Sequence, residues 1–256
     1  MIDSLKSVIR CGFYRFSSFR FLVGLASVQF GRTRRLGISH LLSYCEESAI
    51  GPLQRDEAVA LFGLAKVLRP KTVVEFGFFH GHSAFNFLCA MDSDALLFSY
   101  DVSEESATRA RRELGFDSRF KFLHKSQTDF DESDIDSRSI DLAFFDAAHD
   151  LDLNQKTFLK VLPQLSPSAM VVVHDTGLWS KPFFSQAHHA FAEAAPAGWI
   201  TNDLYAHQPD EREFVDWIRS SYEGFSSVHL HSANTLRHGM TLLQCQGRVL
   251  DTLESR

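Results

Sequence analysis

The chain alternates short apolar runs with stretches of helical periodicity from about residue 55 onward. Five runs rich in β-branched and aromatic residues predict strands: TVVEF (72–76), LLFSYD (96–101), FKFLH (120–124), DLAFFD (141–146) and AMVVVHD (169–175). Between them, apolar residues recur every three or four positions and predict helices at 56–68, 83–91, 105–115 and 154–165. Strands joined by helix-length connections form mainly parallel sheets with right-handed crossovers.

We therefore predict an α/β protein with a Rossmann-like, doubly wound, mainly parallel sheet and helices on both faces. Beyond residue 180 the pattern is less regular: residues 202–218 favour a loop and then a helix, and residues 227–231 and 240–244 favour two late strands. Such a pair would give the sheet an antiparallel edge. We expect this domain to span residues 51–256, after a helical N-terminal extension over residues 1–50.

Acidic side chains stand at or next to the predicted carboxyl ends of four strands. They are Glu75, Asp101, Asp146 and Asp175. Parallel strands bring their carboxyl ends to one edge of the sheet, and ligands of such sheets bind beyond that edge. A single aspartate at such a junction could be a simple helix N-cap. Four at equivalent positions predict a binding site along this edge.

Two glycines, Gly77 and Gly81, lie where the first strand turns into its helix. Glycine allows a close backbone approach to a ligand there. The GxxxG spacing matches neither the dinucleotide nor the nucleoside-triphosphate fingerprint. Asp101, at the end of the second strand, is placed to accept hydrogen bonds from ribose hydroxyls. Together these features predict a nucleoside ligand with a small charged tail.

Composition narrows the class of protein. A 256-residue chain with 45% apolar residues can bury a large core, and it contains no apolar run long enough for a membrane span. Its four cysteines are widely spaced without a CxxC pair, so we expect neither disulfides nor structural zinc, and a cytoplasmic location. The acidic body argues against nucleic acid as a partner.

The first 40 residues have a different character from the rest. Seven lysines and arginines face one aspartate there, a charge of +6, which leaves −12 on residues 41–256 of a chain whose net charge is −6. Phenylalanines are interspersed among the basic residues. Two interpretations stay open: an amphipathic helix in peripheral contact with an anionic membrane, or a helix packed on the acidic body or on a second subunit of a homo-oligomer. A cleaved signal peptide is not expected, because Arg15 and Arg20 interrupt the apolar stretch, whereas an organellar transit peptide stays open.

The segments VVEFGFFHGHSAF, LFSYDVS, IDLAFFDAAHD and PSAMVVVHDT, taken in order, resemble the class I S-adenosylmethionine-dependent methyltransferases. They are most similar to the small-molecule and sugar O-methyltransferases, whose fourth strand ends in DGDH and whose fifth ends in HDT. The resemblance covers about residues 55–180. It implies S-adenosylmethionine as cofactor and methyl transfer to a hydroxyl of a sugar, a glycan or another small metabolite.

The resemblance also implies which residues contact the cofactor: Glu75, Gly77, Phe78, Gly81, Ser83, Asp101, Val102, Ser126, Gln127 and Asp146. The stretch from Glu75 to Ser83 would surround the methionine moiety, and Glu75 would act on its amino group or through the turn. Asp101 would hold the ribose. Ser126 and Gln127 stand where the family often has an aspartate that contacts adenine, and a hydroxyl or amide can also bond a base edge.

His149, Asp146 and Asp175 form the predicted reaction centre. His149 is expected to accept the proton of the acceptor hydroxyl, because imidazole titrates near neutral pH. Asp146 and Asp175 match the magnesium-binding aspartates of the metal-dependent catechol O-methyltransferases, which the segment also resembles. Here Thr176 replaces the following asparagine, so these two carboxylates could position either Mg²⁺ or the substrate itself.

The sequence leaves two pairs of alternatives open. His174 is either a second site residue or a core histidine. The chain itself is either an active methyltransferase or an inactive cofactor-binding partner subunit on the same fold, because Ala147 and Ala148 replace the Gly-Asp of DGDH.

Overall fold

The computed structural model describes residues 40–41, 53, 55–147, 149–176, 208–231 and 239–247. Its strands are β1 Thr72–Phe76, β2 Leu96–Asp101, β3 Phe120–His124, β4 Ile140–Phe145, β5 Leu165–His174, β6 Phe225–His231 and β7 Gly239–Cys245. Its α-helices are α1 Arg55–Leu68, α2 His82–Ala90, α3 Glu104–Glu113, α4 Leu151–Val161 and α5 Gln208–Ser221. Short 3₁₀ turns cover Gln127–Asp129, Glu132–Ile135 and Leu162–Gln164.

The strands form one seven-stranded sheet in the order β3-β2-β1-β4-β5-β7-β6. The first five strands run parallel, and β7 pairs antiparallel with both β5 and β6. This confirms the predicted Rossmann-like sheet with an antiparallel edge. The direction of the strand order reverses between β1 and β4, and this reversal is where open α/β sheets bind ligands.

Alternating side chains of β1 belong to apolar clusters on opposite faces of the sheet. Val73 packs with Leu61 and Phe87, from α1 and α2, in one cluster. Val74 packs with Phe158, from α4, in the other. All five residues of β1 are buried, because helices cover both faces. Each large apolar side chain buried in this way stabilises the fold by about 1.5–3 kcal/mol.

The predicted helix 154–165 is too long at its carboxyl end. The helix ends at Val161, a 3₁₀ turn follows, and the strand β5 already begins at Leu165. Pro163 lies in the 3₁₀ turn. Proline has no N–H for the helical ladder and its ring clashes with the preceding turn, so the helix stops before it.

The predicted N-terminal extension, residues 1–50, lies outside the described residues except for His40 and Leu41. Within the described part of the chain, no helix combines the length and the apolar character needed to cross a membrane.

Candidate active site

A cleft of about 450 Å³ opens at the carboxyl ends of the parallel strands. Most of the predicted site residues line it: Gly77, Phe78, Ser83, Asp101, Val102, Ser126, Gln127, Asp146, His149 and Asp175. Glu75 and Gly81 do not line it. The cleft lies at the reversal of strand order, so the fold brings together residues that are up to about 100 positions apart in the sequence.

The two glycines of the β1–α2 turn are required by close contacts. Gly77 has φ of 99°, and a Cβ there would lie 2.2 Å from the carbonyl oxygen of Asp146. Gly81 has φ of 76°, and a Cβ there would lie 2.5 Å from the ring of Phe78. Gly77 therefore lets β1 approach the end of β4. Gly81 instead makes room for an aromatic ring that belongs to the core.

Glu75 lies beneath the cleft, with no exposed surface. Its Oε2 accepts a hydrogen bond from the Ser99 hydroxyl, and the Ser83 hydroxyl, on the cleft wall, also favours its charged form. Burial nevertheless raises the pKa of Glu75 from 4.5 to about 8, and the charges of Asp146 and Asp101 add to this effect. The two predicted roles of Glu75, contact with the cofactor's amino group and action through the turn, both stay predictions.

Asp101 is held at the carboxyl end of β2 by backbone donors. Its two carboxylate oxygens accept hydrogen bonds from the N–H groups of Phe79 and Ser103, each at 2.8 Å. Phe79 has a positive φ of 45°, which helps to turn its N–H toward the carboxylate. A carboxylate fixed in this way keeps further lone pairs for hydroxyl donors from the cleft.

Ser126 and Gln127 follow β3 and line the cleft, but both side chains already bond to the protein. The Ser126 hydroxyl caps the 3₁₀ turn by accepting from the Thr128 N–H at 3.3 Å. The Gln127 amide donates to the Asn154 side chain at 3.0 Å. The adenine contact assigned to these residues stays a prediction.

The loops after β4 and β5 bring Asp146, His149 and Asp175 together. Each offers one ligand atom, and these three atoms lie within 4.8 Å of one another. Nε2 of His149 lies 3.8 Å from Oδ2 of Asp175. The structure therefore gathers all three residues of the predicted reaction centre at one point of the cleft.

Glu211, a residue that the sequence analysis missed, contacts Nδ1 of the His149 ring. Nδ1 of His149 shares a short hydrogen bond with Oε1 of Glu211, in the first turn of α5. Burial, the largest single influence, lowers the pKa of His149, but Glu211 and then Asp175 and Asp146 outweigh it and raise that pKa. Burial raises the pKa of Glu211 to about 7, against the opposing effect of His149. The two residues are 62 positions apart, and no local pattern links them.

His174 is buried and also forms part of the cleft wall, and its role as a second site residue stays a prediction. It is only 3% exposed, and its Nδ1 lies 2.9 Å from Asp146 and 3.4 Å from Asp175. Its Nε2 lies 3.0 Å from Oε2 of Glu57, another residue missed in the sequence. Burial lowers the pKa of His174, but the charges of Asp146, Glu57 and Asp175 together raise it well above its ordinary value.

Comparison with known proteins identifies the type of domain that contains these residues. A family model described as a methyltransferase domain matches residues 74–176, from β1 to the end of β5. Residues 74–176 form a methyltransferase domain. With the fold, this confirms the predicted enzyme class, an S-adenosylmethionine-dependent methyltransferase of class I. No curated protein sequence matches the chain significantly.

Solved methyltransferase structures share the fold over most of their length. An O-methyltransferase from Bacillus cereus in complex with SAH has a TM-score of 0.56 at 15% identity, with 84% of this chain and 89% of that chain covered. The O-methyltransferase TomG from Streptomyces achromogenes, in complex with SAM, has a TM-score of 0.53 at 18% identity, covering 84% and 86%. The SAH-bound Podospora anserina methyltransferase PaMTH1 has a TM-score of 0.55 at 16% identity, covering 78% and 80%.

The methyltransferase offers a donor set that suits a divalent cation. Two carboxylates and one imidazole, from Asp146, Asp175 and His149, converge on one point. Thr176, which follows Asp175, does not join them, because it is fully buried and its hydroxyl accepts from Thr241 at 2.9 Å. The predicted pair Asp146 and Asp175 therefore fits a cation. The third protein group near such a cation is His149 and not Thr176.

Proposed function

We propose that this methyltransferase transfers a methyl group from S-adenosylmethionine to a hydroxyl oxygen of a sugar, a glycan or another small metabolite. The observation that carries the proposal is the position of His149, between Glu211 and Asp175 at the wall of the cofactor cleft. An alcohol must lose a proton when it is methylated, and an imidazole at this point can accept it. The Bacillus and Streptomyces neighbours, both O-methyltransferases, support the choice of oxygen.

The reaction is a single in-line displacement. The acceptor oxygen forms a bond to the methyl carbon while the bond from that carbon to the sulfonium sulfur breaks, and S-adenosylhomocysteine leaves. The proton of the hydroxyl passes to Nε2 of His149. Asp146 and Asp175 orient the acceptor hydroxyl, and the raised pKa of His149 favours the proton on the imidazole after transfer.

The carboxylates of Asp146 and Asp175 are also the groups that would hold a divalent cation, in which case His149 stays outside the metal's ligands and keeps its role as proton acceptor. When bound, such a cation polarises the acceptor oxygen and lowers the pKa of its hydroxyl. Methylation assayed with a chelator tests this part separately: a loss of activity that Mg²⁺ or Mn²⁺ restores supports the metal, whereas unchanged activity removes it from the account.

Formation of S-adenosylhomocysteine, measured with catechols, monosaccharides and nucleotide sugars as acceptors, tests the main proposal. His149→Ala should lower kcat by about 10²–10⁴-fold, the usual contribution of a general base, and leave S-adenosylmethionine binding intact. Asp152→Asn, an exposed change in the adjacent helix, is the matched control. An unchanged rate in His149→Ala would remove the proposed base. No turnover of any acceptor by a protein that binds cofactor would favour the inactive partner subunit.

A further inference from the structure

The first turn of α5 contacts both loops that carry the reaction centre. Asp210 accepts a hydrogen bond from the Leu151 N–H at 3.2 Å, which fixes the start of α4 just after His149. Arg212 donates to the Thr176 carbonyl at 3.0 Å, just after Asp175. Glu211, between them, is buried to 3% exposure against His149. Three consecutive residues of one helix therefore hold the two catalytic loops in place.

We propose that Glu211 is a positioning residue for the methyl transfer: it holds Nδ1 of His149 so that Nε2 faces Asp175 and the cleft. This inference rests on the proposed function, because it assigns the orientation of the proposed base. Glu211 itself does not line the cleft. We expect it to act through His149 rather than on the cofactor or the acceptor.

The chemistry of imidazole explains why such a residue is needed. A neutral imidazole carries its proton on one nitrogen and accepts through the other, and the partner of the first nitrogen decides which is which. Once ionised, at a pH above its raised pKa of about 7, the Glu211 carboxylate can only accept, so it selects the tautomer with the proton on Nδ1. Nε2, 3.8 Å from Asp175, is then left as the acceptor on the cleft side.

The burial of Glu211 is hard to explain as a contribution to stability. Its Oε1 bonds to His149, and its second oxygen, Oε2, is buried without a hydrogen bond among the described residues. Burying a carboxylate with so few partners costs free energy. A positioning role explains why an acidic side chain stands at a buried site where an apolar side chain would have a lower free-energy cost of burial.

The tautomer of His149 can be measured without any acceptor. Long-range ¹H–¹⁵N correlation spectra of histidine-labelled protein, at alkaline pH, report which ring nitrogen is protonated, and the His149→Asn variant assigns the signals. We expect the proton on Nδ1 in the native protein and a shift toward Nε2 in Glu211→Ala. Glu213→Ala, an exposed glutamate of the same helix, should leave the spectrum unchanged. A native-like His149 signal in Glu211→Ala would overturn the inference.

Kinetics and binding complete the test. Glu211→Gln keeps the shape of the side chain, and we expect kcat for any accepted hydroxyl compound to fall by about 10–100-fold, the range found when residues that orient a metal-binding histidine are replaced. The calorimetric Kd for S-adenosylmethionine should not change. A loss of cofactor affinity equal to the loss of kcat would contradict a positioning role. If the tautomer depends on Glu211 but no hydroxyl acceptor is methylated, the proposed function fails while the orientation of His149 stands.

Discussion

Replacing Glu75 by glutamine should make the protein more stable, and increasingly so as the pH rises. The pKa of Glu75 is about 8 in the folded protein and 4.5 ordinarily. The folded state therefore binds a proton that the unfolded state has released between these two values, and stability falls across that window. At about 1.4 kcal/mol per pH unit, the cost approaches about 5 kcal/mol above pH 8. Glutamine has no such cost and can still accept from Ser99.

Urea unfolding of the native protein and of Glu75→Gln, at a series of pH values, measures this difference directly. The two free energies of unfolding should be similar near pH 4.5 and should differ by about 3–5 kcal/mol above pH 8, allowing for relaxation around the buried charge. Glu223→Gln, at an exposed site, should follow the native curve. Parallel curves for the native protein and Glu75→Gln would refute the buried, proton-binding state of this carboxyl.

Three further predictions concern the turn, the ribose contact and the buried histidine. Gly77→Ala should lower the free energy of unfolding by at least about 1–3 kcal/mol, because of its positive φ and its close approach to the end of β4, and it should abolish cofactor binding. Gly63→Ala, in open space within α1, should instead raise the free energy of unfolding in urea by about 0.5–1 kcal/mol. Equal effects of the two changes would contradict the close approach. Asp101→Asn should weaken S-adenosylmethionine binding by about 10–100-fold in calorimetry, the loss of a charged hydrogen-bond acceptor, and an unchanged Kd would remove it from the ribose site. His174→Asn should lower the free energy of unfolding by about 3–5 kcal/mol at acid pH, where the imidazolium is fully formed. The loss should become smaller as the pH rises through the raised pKa of His174, because the native protein then loses the same stabilising charge. A loss that does not depend on pH would contradict a buried cation.

Local patterns were sufficient for the residues that follow the parallel strands. The apolar runs located β1 to β5 to within a few residues, and the topology of a parallel sheet then placed Asp101, Asp146 and Asp175 on one edge. The same rule placed Glu75 at this edge, but it did not predict that Glu75 is buried beneath the cleft. Whether a strand-end side chain points up into the cleft or down into the core depends on packing from Ser83 and Ser99, which strand periodicity does not encode.

The partners of the reaction centre needed the tertiary structure. In the sequence, two partners look like ordinary acids in the first turn of a helix, where a negative charge interacts favourably with the helix dipole. They are Glu57 on α1 and Glu211 on α5. Only the docking of these helices against the ends of β4 and β5 reveals that one acid meets His174 and the other His149. The feature that marks these two acids is their burial on an amphipathic helix, and burial is known only once the packed face of the helix is known.

The central claim, a cofactor cleft for S-adenosylmethionine at the ends of the parallel strands, is tested most directly by calorimetric titration. The native protein and Gly77→Ala would each be titrated with S-adenosylmethionine and with S-adenosylhomocysteine, in the presence of Mg²⁺ and again with a chelator. We predict that both ligands bind the native protein at one site per chain and that Gly77→Ala, which closes the turn against Asp146, binds neither. A folded native protein that binds neither ligand under any of these conditions would contradict the account.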